Sequence, residues 1–220
     1  FDHRREDART DWEREGLPTE DWEALLFEAR TRADKAGHYR FAMPKELGGK
    51  DGGNLAMAVI REHLATKGLG LHNDLQNEHS IVGNNVGVLL MAEYGSTEQK
   101  EEWLPLMLEG KRGFAFGITE PAHGSDATHM ETNAVRDGDG WKINGAKTWN
   151  TGIHKAQYDM VMARTSGKAG DGDGITAFLT PLDAEGAKIE EFLWTFNMPT
   201  DHGTVSFKDV YVDNSAIFGE

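Results

Sequence analysis

Phe116-Gly117-Ile118-Thr119-Glu120-Pro121-Ala122-His123-Gly124-Ser125-Asp126 reads as a strand running into a turn dense in hydroxyls and glycine. Strand ends beside such turns make ligand sites. Exposed main-chain amides, Thr119 and Ser125 can hold carbonyl edges or phosphate oxygens, and Gly124 permits close backbone approach. Taken alone, a Gly-Ser-Asp turn is most often only a turn. Further along, Asn144-Gly145-Ala146-Lys147-Thr148-Trp149-Asn150-Thr151-Gly152 sets a large aromatic among small and polar residues. Trp149 can pack against a planar ligand, although Trp is usually a core residue that contributes area.

Around these two segments the chain changes texture near Gly110. Beyond it, short runs with period-two alternation are separated by Gly, Asp and Asn, as strands and turns require. The expected strands are Gly113 to Ile118, Thr132 to Arg136, Gly140 to Asn144, Asp159 to Thr165, Ile175 to Thr180 and Thr204 to Val212. Together they predict a barrel or a sandwich. Asp137-Gly138-Asp139-Gly140 and Asn144-Gly145 both read as turns joining hairpin strands, because Gly and Asn tolerate positive φ. Ser166 to Gly174, rich in Gly and Asp, has the composition of a mobile surface loop.

Before Gly110 the periodicity is helical. Trp22, Leu25, Leu26 and Ala29 follow a Thr19 cap, and a second helix from Asn54 carries Met57, Ile60 and Leu64 and ends at Gly68 and Gly70. A third, Asn77 to Tyr94, is weakened by Gly83 and Gly87, each costing about 1 kcal/mol of propensity relative to Ala. Ser96-Thr97-Glu98-Gln99 is a capping box that opens a fourth helix, with Trp103, Leu106 and Met107 on its buried face.

The joint pattern is more specific than its parts. Thr-Glu-Pro, two residues, Gly-Ser-Asp, then about twenty residues on Asn-Gly, Lys and Trp-x-Thr resembles the acyl-CoA dehydrogenase family. The likeness extends to Pro44-Lys45-Glu46-Leu47-Gly48-Gly49, to Tyr94-Gly95-Ser96-Thr97-Glu98-Gln99-Lys100, and to Val205-Ser206-Phe207-Lys208-Asp209-Val210-Tyr211-Val212. The fold it implies is an N-terminal all-α helical domain, residues 1–112, followed by a β-barrel middle domain, residues 113–220, that binds FAD and acyl-CoA.

That resemblance implies a cofactor site from Phe116, Gly117, Ile118, Thr119, Gly124, Ser125, Trp149, Asn150 and Thr151. Phe116, Ile118 and Thr119 line the isoalloxazine, and Gly124 and Ser125 lie nearer the cofactor chain and CoA, with Ser125 also meeting substrate. Trp149 shields one flavin face and the Thr151 hydroxyl reaches N5. The implied reaction is α,β-dehydrogenation of an acyl-CoA to trans-2-enoyl-CoA, with electrons passed to an electron-transferring flavoprotein in a homodimer or homotetramer. The catalytic base, a Glu in the family, is expected beyond Glu220; Glu120 belongs instead to the Thr-Glu-Pro turn and has a structural role. Phe116 stands where many relatives have Tyr, and Asn150 where an aliphatic residue is common, so Asn150 is expected to meet the flavin's adenine side or to face solvent. Ala122-His123 and Met198-Pro199-Thr200-Asp201-His202 also depart from the commoner pattern. An acyl-CoA oxidase, a flavin monooxygenase or nitroalkane oxidase, and a non-catalytic binding module remain as alternatives.

Composition narrows the partners. With 23 Lys+Arg against 37 Asp+Glu, and a net charge of −14, the surface repels a polyphosphate backbone, so nucleic acid is not expected. The absence of Cys removes disulfides, thiolate metal sites and a catalytic thiol. No apolar run approaches the roughly 20 residues of a spanning helix, which with the family predicts a soluble protein of a bacterial cytoplasm or a mitochondrial matrix. His123, His129, His154 and His202 show no ligand spacing, so no metal site is expected. Both chain ends read as those of a fragment.

Overall fold

The computed structural model describes residues 10–69, 85–195 and 198–219, without the side chains of residues 68, 69, 195 and 198–201. The chain divides into two compact units. One comprises residues 1–11 and 18–93, the other residues 12–17 and 94–220.

In the first unit, helix α1 (Glu20–Lys35) starts where Thr19 Oγ1 accepts from the Trp22 amide at 3.3 Å. Its buried stripe is Trp22, Leu26 and Ala33, while Leu25 is exposed. The buried residues are spaced four and seven apart, as one helix face requires, and one member of the expected face, Leu25, belongs to the outside. Arg40 forks onto both Asp34 carboxylate oxygens at 2.9 Å just beyond the helix. Helix α2 (Asn54–Leu64) buries Met57 and runs into a π-helical turn, Ala65–Leu69, which takes in Gly68, while the other expected stop, Gly70, lies outside the described residues. Of the expected third helix, residues 77–84 lie outside the described residues, and α3 spans Val86–Tyr94.

Helix α4 (Thr97–Leu108) groups with the strands. Its capping box is complete: Ser96 Oγ accepts from the Gln99 amide at 3.2 Å, and Gln99 Oε1 accepts from the Ser96 amide at 3.0 Å. The same Gln99 side chain donates to the carbonyls of Ser215 and Ile217 at 2.8 and 2.9 Å. Trp103 is buried against Phe114 and Tyr158, with the Arg112 guanidinium 4.9 Å from its ring centroid. These contacts attach α4 to the barrel.

Eight strands form one sheet: β1 (Phe114–Gly117), β2 (Asn133–Asp137), β3 (Gly140–Thr151), β4 (Tyr158–Arg164), β5 (Ile175–Pro181), β6 (Ala187–Thr195), β7 (Met198–Asp213) and β8 (Ile217–Phe218). The main path runs β8-β5-β4-β1-β3-β7-β6, and β2 pairs with both β3 and β4. This β-barrel curls around a core that includes Ile143, Val161, Phe178, Val205, Phe207 and Val210. Burying each such side chain contributes about 1.5–3 kcal/mol.

Two expectations from sequence change. Asn144-Gly145 is not a turn: β3 continues through it to Thr151, with a register shift between Ile143 and Gly145. Asn144 instead bonds to the interior of the partner strand, its Oδ1 accepting from the Asp209 amide at 2.9 Å. Cross-strand bonding thus turns a local hairpin signal into a bulge. Strand β6 carries no clear alternation and escapes sequence reading. The Gly- and Asp-rich loop after β4 is stitched down by Arg164, which donates to the carbonyls of Ser166, Asp171 and Asp173. No helix among the described residues is long and apolar enough to cross a membrane.

Candidate functional site

Strands β1 and β2 occupy successive stretches of one slot between β3 and β4. Gly117 pairs with Val161, and the chain re-enters the sheet at Asn133 opposite Arg164. The segment between them, with Thr119 through Asp126, is therefore a loop extruded from an interrupted strand. Its base is held by the Thr148 amide donating to the Thr119 carbonyl at 2.9 Å. Phe116 lies opposite Thr151, so the two sequence segments form one edge of the barrel.

The loop is fixed from beneath by Glu120. Its carboxylate is buried and accepts from the amides of Glu131 at 2.6 Å and Thr132 at 2.9 Å, and from Lys147 Nζ at 2.8 Å. Lys147, 0% exposed, also donates to the Ile118 carbonyl at 3.1 Å. Burial alone would raise the Glu120 carboxyl, but the Lys147 and amide hydrogen bonds outweigh it and hold the group below its ordinary value. Burial pushes the Lys147 ammonium down, against the pull of Glu120. With its lone pairs committed this way, Glu120 acts as a tie between loop and barrel. Glu120 and His123 also exchange backbone hydrogen bonds at 3.0 and 3.1 Å. Asp126 closes the far side of the turn, accepting from the Thr128 amide at 3.2 Å.

Trp149 decides the shape of the edge. The register of β3 against β7 slips between Lys147 and Asn150, and Trp149 has φ +62. A strand without the bulge would continue inward from Lys147 to Trp149. The extra residue reverses the parity, turning Trp149 outward at 50% exposure and Asn150 inward at 0%. A left-handed conformation in a bulky residue stores about 1–3 kcal/mol of strain, and such outliers gather where ligands are clamped. Phe116, 41% exposed, shares the same edge. His202, which sequence reading noted as part of an unusual segment and as a histidine without metal-ligand spacing, stands against it: its Nδ1 shares a 3.2 Å hydrogen bond with Thr151 Oγ1, and its ring meets Trp149 edge-on at 6.4 Å. No local sequence signal marks it, because the pairing of Thr151 with His202 across β3 and β7 is a matter of register.

The remaining expected residues take distinct positions. Ile118 and Thr119 are partly buried at the exit of β1, and the Thr119 amide and hydroxyl have no partner among the described residues. Ser125 is exposed with a similarly unpartnered hydroxyl, and a Cβ added at Gly124 would meet nothing within 4 Å. Gly117 is buried under the edge. Asn150, expected at a ligand or in solvent, does neither: it points into the barrel and donates to Asp159. Among the described residues no group of three or more His, Cys, Asp or Glu is placed to hold a metal ion.

A protruding indole, an exposed phenyl ring, and free amide and hydroxyl donors at the loop root make a surface for a flat, acceptor-rich ligand. The comparisons with known proteins agree with this architecture. The family model for the acyl-CoA dehydrogenase N-terminal domain matches residues 3–111, and that for the acyl-CoA dehydrogenase middle domain matches residues 115–210. The chain belongs to the acyl-CoA dehydrogenase family. It is 29% identical over 187 residues to acyl-CoA dehydrogenase FadE12 of Mycobacterium tuberculosis, covering 85% of this chain and 47% of that protein. It is 34% identical over 155 residues to the caffeyl-CoA reductase-Etf complex subunit CarC of Acetobacterium woodii, covering 70% of this chain and 39% of that one. The crystal structure of an acyl-CoA dehydrogenase from Geobacillus kaustophilus superposes with a TM-score of 0.64 at 30% identity, covering 91% of this chain and 52% of the other. The chain thus spans about half the length of the curated relatives it matches.

Proposed function

We propose that this chain forms the helical and barrel portion of an FAD-dependent acyl-CoA dehydrogenase that converts an acyl-CoA thioester to trans-2-enoyl-CoA. The observation that carries this reading is the strained, outward Trp149 beside the free donors of Thr119, on a chain of this family. When bound, FAD supplies the acceptor for the β-hydrogen, which leaves as hydride as the α-proton is removed. The residues described here fit that group. The Trp149 indole offers an apolar wall that keeps water off a planar ring. The Thr119 amide and hydroxyl are placed to donate to a ring edge where negative charge builds. Ser125 and the open backbone at Gly124 suit the polar chain of a cofactor or thioester. Thr151, its hydroxyl aligned by His202, completes the wall beside Trp149 and Phe116. Glu120, bound to two amides and a lysine, is committed to the loop and is not assigned as the proton-abstracting carboxylate. The relative named as a subunit of an Etf complex supports an electron-transferring flavoprotein as the electron acceptor, and the two family models, one ending at residue 111 and the other starting at residue 115, support separate helical and FAD/acyl-CoA-binding domains.

The test is an anaerobic titration of the full-length protein with acyl-CoA thioesters of increasing chain length. Bleaching of the oxidised-flavin band is the expected outcome, and the thioester that bleaches at lowest concentration identifies the substrate class. A flavoprotein that keeps its colour with every thioester would refute the reaction, and a colourless protein would refute the cofactor.

A further inference from the structure

Beneath the edge lies a second polar pair that the proposed reaction does not use. Asp159 shares its inward parity on β4 with Val161 and Ala163, both members of the apolar core, and is itself fully buried. Asn150 meets it from β3, with Nδ2 donating to Asp159 Oδ2. A Cβ on Gly117 would stand 2.9 Å from both carboxylate oxygens and 3.0 Å from Asn150 Nδ2, so the missing side chain at 117 makes room for the pair. Two acceptors remain over: Asn150 Oδ1 and Asp159 Oδ1 are buried and have no partner among the described residues. Two orphan acceptors in a buried site are costly, and one proton on the carboxyl converts an acceptor into a donor.

We propose that Asp159 is a proton-carrying positioning residue, which holds Asn150 inside the barrel and thereby holds the bulge that turns Trp149 outward. The anchor and the exposed edge are adjacent in sequence. Asn150 is the inward half of the parity reversal at Trp149, and releasing it removes what opposes the strain at φ +62. The surroundings favour the protonated acid, because burial raises the Asp159 carboxyl to about 7, against the lowering pull of the Asn150 amide and of the Lys147 charge. The elements packed on Asp159 supply few other charges. Strand β1 brings Ala115 and Gly117, β5 brings Thr180, and β3 brings Asn150 and Lys147, the latter paired with Glu120. Loss of the proton charges the acceptor of the Asn150 amide and tightens that bond, as its lowering pull requires, while both orphan oxygens stay acceptors, so the anchor on Asn150 differs between the two protonation states. The consequence for flavin binding rests on the function proposed above; the coupling between Asp159 and Trp149 does not.

The test is fluorine NMR of the full-length protein carrying 5-fluorotryptophan, with the Trp149 resonance assigned by its loss in Trp149→Phe. The Trp149 shift should move with one inflection at about pH 7, stay flat in Asp159→Asn, and stay flat in Asn150→Ile/Asp159→Leu, whose apolar pair keeps the barrel folded. It should persist in His202→Gln, which removes the titratable ring beside the indole. A flat wild-type profile, or an inflection that survives Asp159→Asn or vanishes in His202→Gln, overturns the proposal. Flavin bleaching by a thioester in the same preparation separates the two readings: bleaching without the inflection sinks only the positioning role, and the inflection without bleaching sinks only the reaction.

Discussion

Two polar pairs share the interior of one barrel and differ in how fully their groups are satisfied. Glu120 and Lys147 form an ion pair in which the carboxylate also accepts from two amides and the ammonium also donates to a carbonyl. Asn150 and Asp159 make one described hydrogen bond and leave an oxygen each without a partner. The first pair is a brace: it closes the extruded loop onto the sheet, and each partner makes further hydrogen bonds. The second has proton capacity to spare and sits directly behind the strained residue of the edge. A buried network with every member satisfied rigidifies, whereas one left partly open is where a protonation change can be felt.

The pairs should also respond to pH with opposite signs. Glu120 is held below its ordinary value, so its contribution is present above the unfolded carboxyl range and is lost as pH falls through its folded value. Asp159 is raised from 3.8 to about 7, so the folded state binds the extra proton between those limits. Stability therefore falls as pH climbs through that window and levels off above it.

The largest break in the comparison should come from Glu120→Ala. It leaves Lys147 buried without its counter-charge and frees two amides, a loss of about 3–5 kcal/mol in urea denaturation at neutral pH. A loss below about 1 kcal/mol would mean that the loop is held elsewhere. Next, Asp159→Asn should flatten the decline in stability between pH 4 and pH 8, the difference reaching at most about 4 kcal/mol for a shift of roughly three pKa units. Denaturation midpoints of variant and wild type across that range would check it, and parallel curves would count against it. Gly117→Ala should cost about 1–3 kcal/mol by overpacking, since the new methyl falls on the Asp159 carboxylate. It should also weaken the Asp159–Trp149 coupling seen by fluorine NMR. The smallest effect is expected at the surface: Trp149→Gly relieves the left-handed strain and should raise unfolding free energy by about 1 kcal/mol, while flavin affinity, measured by fluorescence titration, falls about tenfold. Destabilisation by this variant would show that the indole serves the core.

Legibility from sequence followed the range of the interactions. The capping box at Ser96 and Gln99 was plain because two residues three positions apart hold all its atoms, and the Asp137-to-Gly140 hairpin was plain because its turn needs only local φ angles. The Asn144-Gly145 signal was equally strong and misleading, because Asp209, on another strand, captures the Asn side chain and keeps the strand running. Asn150 was misread for a similar reason. Alternation from Lys147 places it outside, and only the register slip against β7 brings it in.

The order of most elements, the absence of thiol chemistry and the family were contained in the order of residues, since caps, turns and motif spacing act over a few positions along the chain. The inward turn of Asn150, the partnership of Asp159 with it, the place of His202 beside Thr151 and the attachment of α4 to the barrel were not. Each depends on which strand lies next to which and in what register, and that is settled when the sheet closes over its core rather than by any local preference.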